Sequence, residues 1–201
     1  MILWGRPSSV NVQKVLWALE ELGLPYEHRI VAGKYGGLDA PEFKALTPAP
    51  RVPVLQNGSE VIWESNAILR YLAPKIVPTQ VDIWMEFSST TFQPSFIGMF
   101  WQRVRIVAEE QDGAVLATHL KGLKSGLTII ESGMADGRSY IAGSEFSMAD
   151  VAIGSLFYRI MDLYPDFLVQ YPRVMTWHKN ISIRTGYSRW VATPYDDLRV
   201  T

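Results

Sequence analysis

The sequence predicts an α/β unit at roughly residues 1–74, followed by an all-helical unit at roughly residues 83–201. Three observations support this fold class. Strand-like and helix-like segments alternate at the start of the chain. The stretch "APKIVPTQVD", residues 73–82, contains two prolines and has no helical period, as is typical of a linker. After that linker, apolar residues recur at helical spacing.

The first unit begins with a short strand and an amphipathic helix. Residues 2–4 are apolar and are predicted to form the strand. One face of the following helix is apolar, at Val12, Val15, Leu16, Leu19 and Leu22. Gly23 and Pro25 are typical of a helix end. Residues 26–31 predict a second strand, because apolar and polar positions are mixed there.

A hairpin and another helix complete the first unit. A short helical turn comes before the hairpin, with Asp39 as a candidate cap and Glu42 three residues later. Residues 52–63 predict the hairpin, because Asn57-Gly58 between two apolar runs favours a type I′ turn. Ser65 is the expected N-cap of the helix that follows.

The second unit carries one helix breaker and one helix-start motif. Pro94 predicts a kink or break in the first long helical segment. The stretch "FSMADVAI" contains a capping box, in which Ser147 caps the helix and Asp150 reaches back to the cap. Phe146 is expected to pack against Val151 as a hydrophobic staple.

Composition narrows the function classes. The net charge of -1 argues against a duplex nucleic-acid binder, which normally carries a basic excess. The chain has no cysteine, which excludes disulfides and thiolate metal sites. Its start lacks the pattern of a secretory signal, and no uncharged apolar run approaches the ~20 residues of a membrane span. We therefore expect a cytoplasmic protein that binds neither metal nor membrane, with His28, His119 and His178 as surface or structural residues.

The start of the first helix carries three polar side chains, Ser8, Ser9 and Asn11. A helix N-terminus offers unpaired N–H groups and a partial positive charge, so these side chains can help to stabilise a carboxylate, a phosphate or a thiolate. The alternative is a serine that only caps the helix, and this stretch by itself favours the cap.

Two further segments of the first unit have polar or backbone groups suited to a ligand. Pro53 interrupts an apolar strand, so the backbone of Val52 is available to an extended peptide; an ordinary edge strand is the alternative. Glu64 and Ser65 begin another helix, where they suit an ammonium and a carboxylate; a simple cap is the alternative. Together with the start of the first helix, these segments describe a site for a short zwitterionic peptide with a thiol.

The chain resembles a cytosolic glutathione transferase of the bacterial type, which has serine or threonine with asparagine near the first helix. The resemblance covers essentially the whole chain. "SSVNVQKVLWALEELGLPY", "RVPVL" and "ESNAILRYL" match the family's glutathione-site segments in order and spacing, and "FSMADVAI" matches its capping box. The resemblance implies a thioredoxin-like N-terminal domain, an all-helical C-terminal domain, an electrophile pocket between them and a homodimer.

This resemblance places the thiol of glutathione at the start of the first helix. Ser9 matches the hydroxyl that faces the thiol, Asn11 matches a polar partner, and Ser8 can share or replace the role of Ser9. Lowering a thiol pKa from about 8.5 by ~2 units stabilises the thiolate by about 2.7 kcal/mol. The thiolate would then attack a small hydrophobic electrophile or a peroxide, without a metal.

The resemblance also implies how glutathione is held. It implies a cis bond before Pro53, backbone pairing of Val52 with the cysteinyl part, and binding of the γ-glutamyl end by Glu64 and Ser65. Four further residues are candidates: Arg51 and Lys34 for the glycine carboxylate, and Trp101 and Arg105 for the electrophile pocket.

Two other functions fit the same residues. A non-catalytic protein of this fold would keep glutathione for stability or dimerisation, and Pro50, in "TPAPRVPVL" where many members have "NPNGKVPVL", agrees with an altered loop. A glutathione-dependent isomerase or dehalogenase would use the same thiolate on a different electrophile. Transfer to a generic aromatic halide, followed by product analysis, distinguishes these functions.

Overall fold

The computed structural model describes residues 1–73 and 77–200, so residues 74–76 of the predicted linker lie outside the described part. The chain divides into two compact units. The first comprises Met1–Val77 and Thr185–Thr193, and the second comprises Pro78–Arg184 and Pro194–Thr201.

The first unit contains a four-stranded mixed sheet. Its strands, in the spatial order β2-β1-β3-β4, are β1 (Ile2–Trp4), β2 (Glu27–Arg29), β3 (Val54–Asn57) and β4 (Glu60–Trp63). β1 is parallel to β2 and antiparallel to β3, and β3 is antiparallel to β4. Leu3 lies opposite His28 on one side and Leu55 on the other, and both leucines are fully buried.

The apolar stripe of the first helix is buried as predicted. The helices of this unit are α1 (Val10–Glu21), α2 (Pro41–Lys44) and α3 (Ser65–Leu72). Four members of the stripe are fully buried in α1, namely Val12, Val15, Leu16 and Leu19, whereas Leu22 is the C-cap. α1 packs against α3 and against the π-helical turn Tyr187–Val191, where the Tyr187 ring meets Trp17 edge-on at 5.2 Å. This packing places Thr185–Thr193 in the first unit.

The predicted hairpin is confirmed, but its turn differs from the prediction. Asn57 pairs with Glu60, so Gly58 and Ser59 are the two loop residues, and a type I′ turn centred on Asn57-Gly58 is wrong. Gly58 has φ 60 at the first loop position, which is where a type II′ turn places glycine. Ser59 has no positive φ, which a type I′ turn would require.

Two predicted helix caps are also wrong. α2 begins at Pro41, whose fixed φ suits the first helical position, and Asp39 instead forms an ion pair with Lys44 at 3.5 Å. α3 begins with Ser65 itself, and Glu64 occupies its cap position. Ser65 is therefore one residue further into the helix than predicted.

The second unit is helical. Its α-helices are α4 (Thr79–Phe87), α5 (Gln93–Phe100), α6 (Gly113–Gly133), α7 (Met148–Gly154), α8 (Phe157–Leu163) and α9 (Pro172–Ser182). A π-helical turn, Ser88–Phe92, joins α4 to α5, and Pro94 follows in the first turn of α5. The predicted interruption is confirmed, because Pro94 has no N–H for the carbonyl four residues earlier. Within the described residues, no helix is both long and apolar enough to cross a membrane.

The predicted capping box at the start of α7 is confirmed. The buried Asp150 carboxylate accepts hydrogen bonds from the backbone N–H of Ser147 (2.8 Å) and of Ile141 (2.9 Å). It also accepts one from the indole N–H of Trp177 at 2.8 Å. One side chain therefore joins the start of α7 to α9 and to the preceding loop, while the staple between Phe146 and Val151 stays a prediction.

Candidate functional site

A cleft in the first unit brings together the three segments singled out by sequence. Its lining residues are Asn11, Ala49, Arg51, Val52, Pro53, Trp63, Glu64 and Ser65. They come from the start of α1, the loop before β3, the end of β4 and the start of α3. Segments far apart in sequence thus meet at one surface, as a ligand site requires.

Ser9 stands at the cap position of α1 but does not use its side chain as a cap. Its backbone is extended (φ -83, ψ 122), and its carbonyl accepts a hydrogen bond from the N–H of Gln13 at 2.8 Å. The Ser9 side chain makes no cap hydrogen bond to the described backbone of the helix. The first turn of α1 is free of acidic residues, so the positive end of the helix dipole is not offset there. The capping explanation for Ser9 is therefore weakened.

Ser8 and Asn11 face different partners. Ser8 is buried, and its hydroxyl accepts a hydrogen bond from Nη1 of Arg6 at 2.7 Å. Asn11 is half-buried, and its Oδ1 accepts a hydrogen bond from the Ser65 hydroxyl at 3.3 Å. Asn11 therefore connects the start of α1 to the start of α3.

The loop before β3 contains a cis peptide bond between Val52 and Pro53, which confirms the expected isomer. Pro53 is buried, whereas Val52 is half-buried and lines the cleft. Val52 also packs against the apolar cluster that contains Trp4 and Phe43. Val52 therefore contacts the apolar cluster and the cleft at the same time.

The start of α3 has unusual backbone geometry. Glu64 has φ 69 and ψ 120, and Ala32 is the other described non-glycine residue with a positive φ. Such a conformation costs on the order of 1–3 kcal/mol and concentrates at functional sites. It leaves the Glu64 side chain exposed, while Ser65 and Asn66 are buried behind it.

Sequence reasoning missed a buried lysine at this site. Lys14, on α1, is 1% exposed, and its Nζ donates to Ser65 Oγ at 3.4 Å and to Asn66 Oδ1 at 3.5 Å. Burial lowers the pKa of Lys14 to about 7, against the opposing effect of the Glu64 carboxylate. A signal was present, because Lys14 lies three residues after Asn11 on the same helix face and has no acidic residue three or four positions away in α1.

The remaining candidates are not all brought to the cleft. Arg51 is exposed and lines it, whereas Lys34 is exposed outside the lining set, with its Nζ 5.3 Å from the centre of the Tyr35 ring. Trp101 and Arg105 belong to the second unit, in the π-helical turn Trp101–Arg105. Trp101 is 53% exposed, and the Arg105 guanidinium lies 5.8 Å from its ring centre.

The arrangement in the cleft suits a ligand with two anionic groups and one cation. The start of α1 contributes the Asn11 amide to the cleft and the start of α3 contributes the Ser65 hydroxyl, and a helix N-terminus favours a negative charge at each. Val52 also lines the cleft, and the exposed Glu64 carboxylate offers a partner to a cation. Across the described ranges, no group of three or more His, Asp or Glu side chains is placed to hold a metal.

Comparison with protein families matches both parts of the chain. Residues 1–74 match the model described as "Glutathione S-transferase, N-terminal domain". Residues 113–180 match the model described as "Glutathione S-transferase, C-terminal domain".

Individual proteins match over nearly the full chain. Glutathione S-transferase GstB of Escherichia coli (strain K12) is 29% identical, over 96% of this chain and 98% of its own. Glutathione S-transferase 3 of Zea mays is 31% identical, over 94% of this chain and 92% of its own. Among solved structures, a theta class glutathione S-transferase from Xanthomonas axonopodis pv. citri with glutathione bound is 35% identical, with a TM-score of 0.86 over 96% of this chain and 97% of its own.

Proposed function

The chain belongs to the glutathione S-transferase family, and on that premise we propose that it activates glutathione as a thiolate for attack on small hydrophobic electrophiles. The observation that carries this proposal is the start of α1, where the Ser9 side chain makes no cap hydrogen bond to the described backbone. Ser9 itself is not among the residues that line the cleft, but Asn11, two positions further along α1, lines it together with cis-Pro53 and Ser65.

In this proposal the cleft binds glutathione along its length. The Glu64 carboxylate takes the ammonium of the γ-glutamyl group, and Ser65 with the start of α3 takes the carboxylate on the same carbon. The backbone of Val52 pairs with the cysteinyl part by strand addition. Arg51 is the better candidate for the glycine carboxylate because it lines the cleft, whereas Lys34 does not.

The proposed chemistry needs a moderate electrostatic contribution. A thiol with a pKa near 8.5 is only about 3% thiolate at pH 7. Lowering that pKa by ~2 units makes the thiolate the main form, and this requires about 2.7 kcal/mol of stabilisation of the thiolate relative to the thiol. A hydrogen bond to a charged group contributes about 1.5–3 kcal/mol, and a helix N-terminus about 0.3–1 kcal/mol. The Ser9 hydroxyl and the N-terminus of α1 together can therefore supply the required stabilisation of the thiolate, and Asn11 is a second donor. The Ser8 hydroxyl already accepts a hydrogen bond from Arg6.

The thiolate then forms a sulfur–carbon bond while the leaving group departs with its electron pair. A peroxide is the second class of electrophile in the proposal: there the thiolate forms a sulfur–oxygen bond as the O–O bond breaks and the alkoxide leaves, and a second glutathione reduces the sulfenic acid to give the disulfide and water. For the electrophile we propose Trp101 and Arg105, because an exposed ring and a nearby cation suit an aromatic substrate with an electron-withdrawing group. Phe92 and Phe96 are at most 1% exposed and serve as core. Family membership also leads us to propose a cytoplasmic homodimer.

The proposal is tested by measuring binding and turnover on the same preparation. Purified protein should bind glutathione in calorimetry and conjugate it to a generic aromatic halide. Ser65→Ala should weaken glutathione binding about tenfold, because a hydrogen bond to a carboxylate is lost. Ser59→Ala, in the exposed hairpin turn, is the matched control and should change nothing.

Three results would contradict the proposal. Binding without conjugation would point to a non-catalytic glutathione-binding protein. Conversion of a substrate without retention of glutathione in the product would point to an isomerase or dehalogenase. Equal affinity of Ser65→Ala and the wild type would reduce Ser65 to a structural residue of α3.

A further inference from the structure

A buried cation lies directly behind the proposed γ-glutamyl site. Lys14 is 1% exposed, and its Nζ contacts side-chain oxygens of Ser65 (3.4 Å) and Asn66 (3.5 Å), the first two residues of α3. Both partners are themselves 7% exposed. Burying an ammonium group costs several kcal/mol, and the Ser65 and Asn66 oxygens that offset part of this cost connect Lys14 directly to the start of α3.

The titratable and charged groups on α1 and on the elements packed against it belong to several segments. They are Glu20 and Glu21 on α1, Glu64 and Arg70 at the two ends of α3, and Tyr187 and Arg189 on the turn that packs against α1. Arg189 forms an ion pair with Glu20 at 2.8 Å, and the indole N–H of Trp17 donates to Glu21 at 2.8 Å. Glu64 is the carboxylate that acts on the pKa of Lys14, and it does not offset the effect of burial.

We propose that Lys14 is a positioning residue that supplies the positive charge for the glutamyl carboxylate of glutathione, acting through Ser65 and Asn66. This inference rests on the glutathione site proposed above. Lys14 donates an N–H to the Ser65 oxygen, which makes the Ser65 hydroxyl a stronger donor to a carboxylate. It also fixes the Asn66 side chain at the second position of the helix.

The same geometry couples the two ends of the ligand. In the ligand-free chain the Ser65 hydroxyl donates its one proton to Asn11 Oδ1 at 3.3 Å. When the carboxylate of glutathione accepts that proton instead, Asn11 is released from Ser65. Occupation of the glutamyl end thus changes the hydrogen bonding of a residue at the thiol end.

A bound carboxylate also changes the protonation of Lys14. Because burial lowers the pKa of Lys14 to about 7, the group is mostly neutral above that pH when the site is empty. An anion near Ser65 favours the ammonium form, so binding takes up a proton between about pH 7 and 8.5. Affinity should therefore fall as pH rises through this range and stay level below about pH 6, where Lys14 is charged in both states.

The test uses S-methylglutathione, which keeps the glutamyl end but has no thiol to ionise. Calorimetry at pH 7.5 in two buffers of different ionisation enthalpy measures affinity and proton uptake together. Lys14→Met should bind about tenfold more weakly, as expected for a charge-assisted contact made through one hydroxyl, and should lose part of the proton uptake. The ammonium of the ligand titrates in both proteins, so the difference between them belongs to Lys14.

Two further variants complete the test. Lys14→Arg stays charged at every pH, so it should bind within about threefold of the wild type at pH 7.5 but lack the uptake due to Lys14. If Lys14→Met does not fold, the proton uptake of Lys14→Arg still tests the role of Lys14. Lys44→Met is the matched control, because Lys44 is exposed, and both its affinity and its uptake should equal those of the wild type. In turnover, Lys14→Met should raise KM for glutathione while kcat changes little.

The outcomes separate this inference from the proposed function. If the wild type binds S-methylglutathione and a folded Lys14 variant shows the same affinity and proton uptake, the role of Lys14 is wrong and the glutathione site stands. If the wild type does not bind S-methylglutathione, the proposed function and this inference both fail.

Discussion

Replacing Ser9 by alanine should separate thiol activation from protein stability. An N-cap serine usually loses about 1 kcal/mol of stability on this change. Here the Ser9 side chain makes no cap hydrogen bond to the described backbone of α1, so the free energy of unfolding should change by less than about 0.5 kcal/mol. The change instead removes the hydroxyl proposed to stabilise the thiolate.

The size of the kinetic effect follows from that single hydrogen bond. A hydrogen bond to a charged acceptor is worth about 1.5–3 kcal/mol, which corresponds to about 1–2 units of thiol pKa. If the bound thiol has a pKa near 6.5 in the wild type, it should rise to roughly 7.5–8.5 in Ser9→Ala. At pH 6.5 the thiolate fraction, and with it turnover, should fall about 5- to 50-fold. Above about pH 9 both proteins carry mainly thiolate, so their rates should converge.

The assay is the pH profile of kcat/KM with an aromatic halide, together with urea unfolding of each variant. Ser8→Ala is the matched control, because it removes a hydroxyl one residue away that already accepts from Arg6 at 2.7 Å. It should leave the apparent pKa of the thiol in place. An unchanged profile for Ser9→Ala, or a shift caused by Ser8→Ala instead, would refute the assignment of Ser9.

Three further predictions concern stability and ligand binding. Asp150→Ala should lower the free energy of unfolding by about 3–5 kcal/mol in urea titration, because three buried donors, the Trp177 indole and two backbone N–H groups, lose their acceptor at about 1–3 kcal/mol each. A loss under 1 kcal/mol would contradict this. Burial lowers the pKa of His178 to about 4, so the contribution of the neutral imidazole to the free energy of unfolding should be complete above about pH 6.5 and decline towards pH 4. His178→Phe, which keeps the stacking on Phe157, should flatten that decline, and an equal acid sensitivity in both proteins would argue against this. Arg51→Ala should raise KM for glutathione only about two- to fivefold, since the residue is exposed, and an unchanged KM would remove it from the site.

The sequence predicted those features that are encoded over a few neighbouring residues. The strand at residues 2–4, the apolar stripe of α1 and the capping box of Ser147 with Asp150 each depend on residue spacing within one element. The hairpin was also predictable, because a glycine between two apolar runs marks a turn. Its exact pairing was not, since Asn57 was assigned to the turn and instead closes β3.

Features that depend on tertiary packing were not predictable in this way. Glu64 takes the cap position of α3 with a positive φ. Glutamate rarely adopts such a backbone conformation, so the sequence gives no indication of it. The position of Lys14 on the Asn11 face of α1 was a sequence signal, but its burial depends on α3, whose first two residues contact its Nζ. The turn Tyr187–Val191 lies far along the chain from the unit to which it belongs, because its contacts with α1 decide that membership. The cleft residues Asn11, Val52 and Ser65 were predicted together because the family resemblance joined segments that spacing alone leaves separate.

The proposed activity depends above all on the start of α1, which should lower the pKa of the glutathione thiol. The most direct measurement is an ultraviolet pH titration of glutathione bound to the purified protein, following the absorbance of the thiolate. We expect a midpoint near pH 6.5, about two units below that of a free thiol near 8.5. A midpoint that stays near 8.5, with glutathione shown to be bound, would contradict it and leave a protein that holds glutathione without activating it.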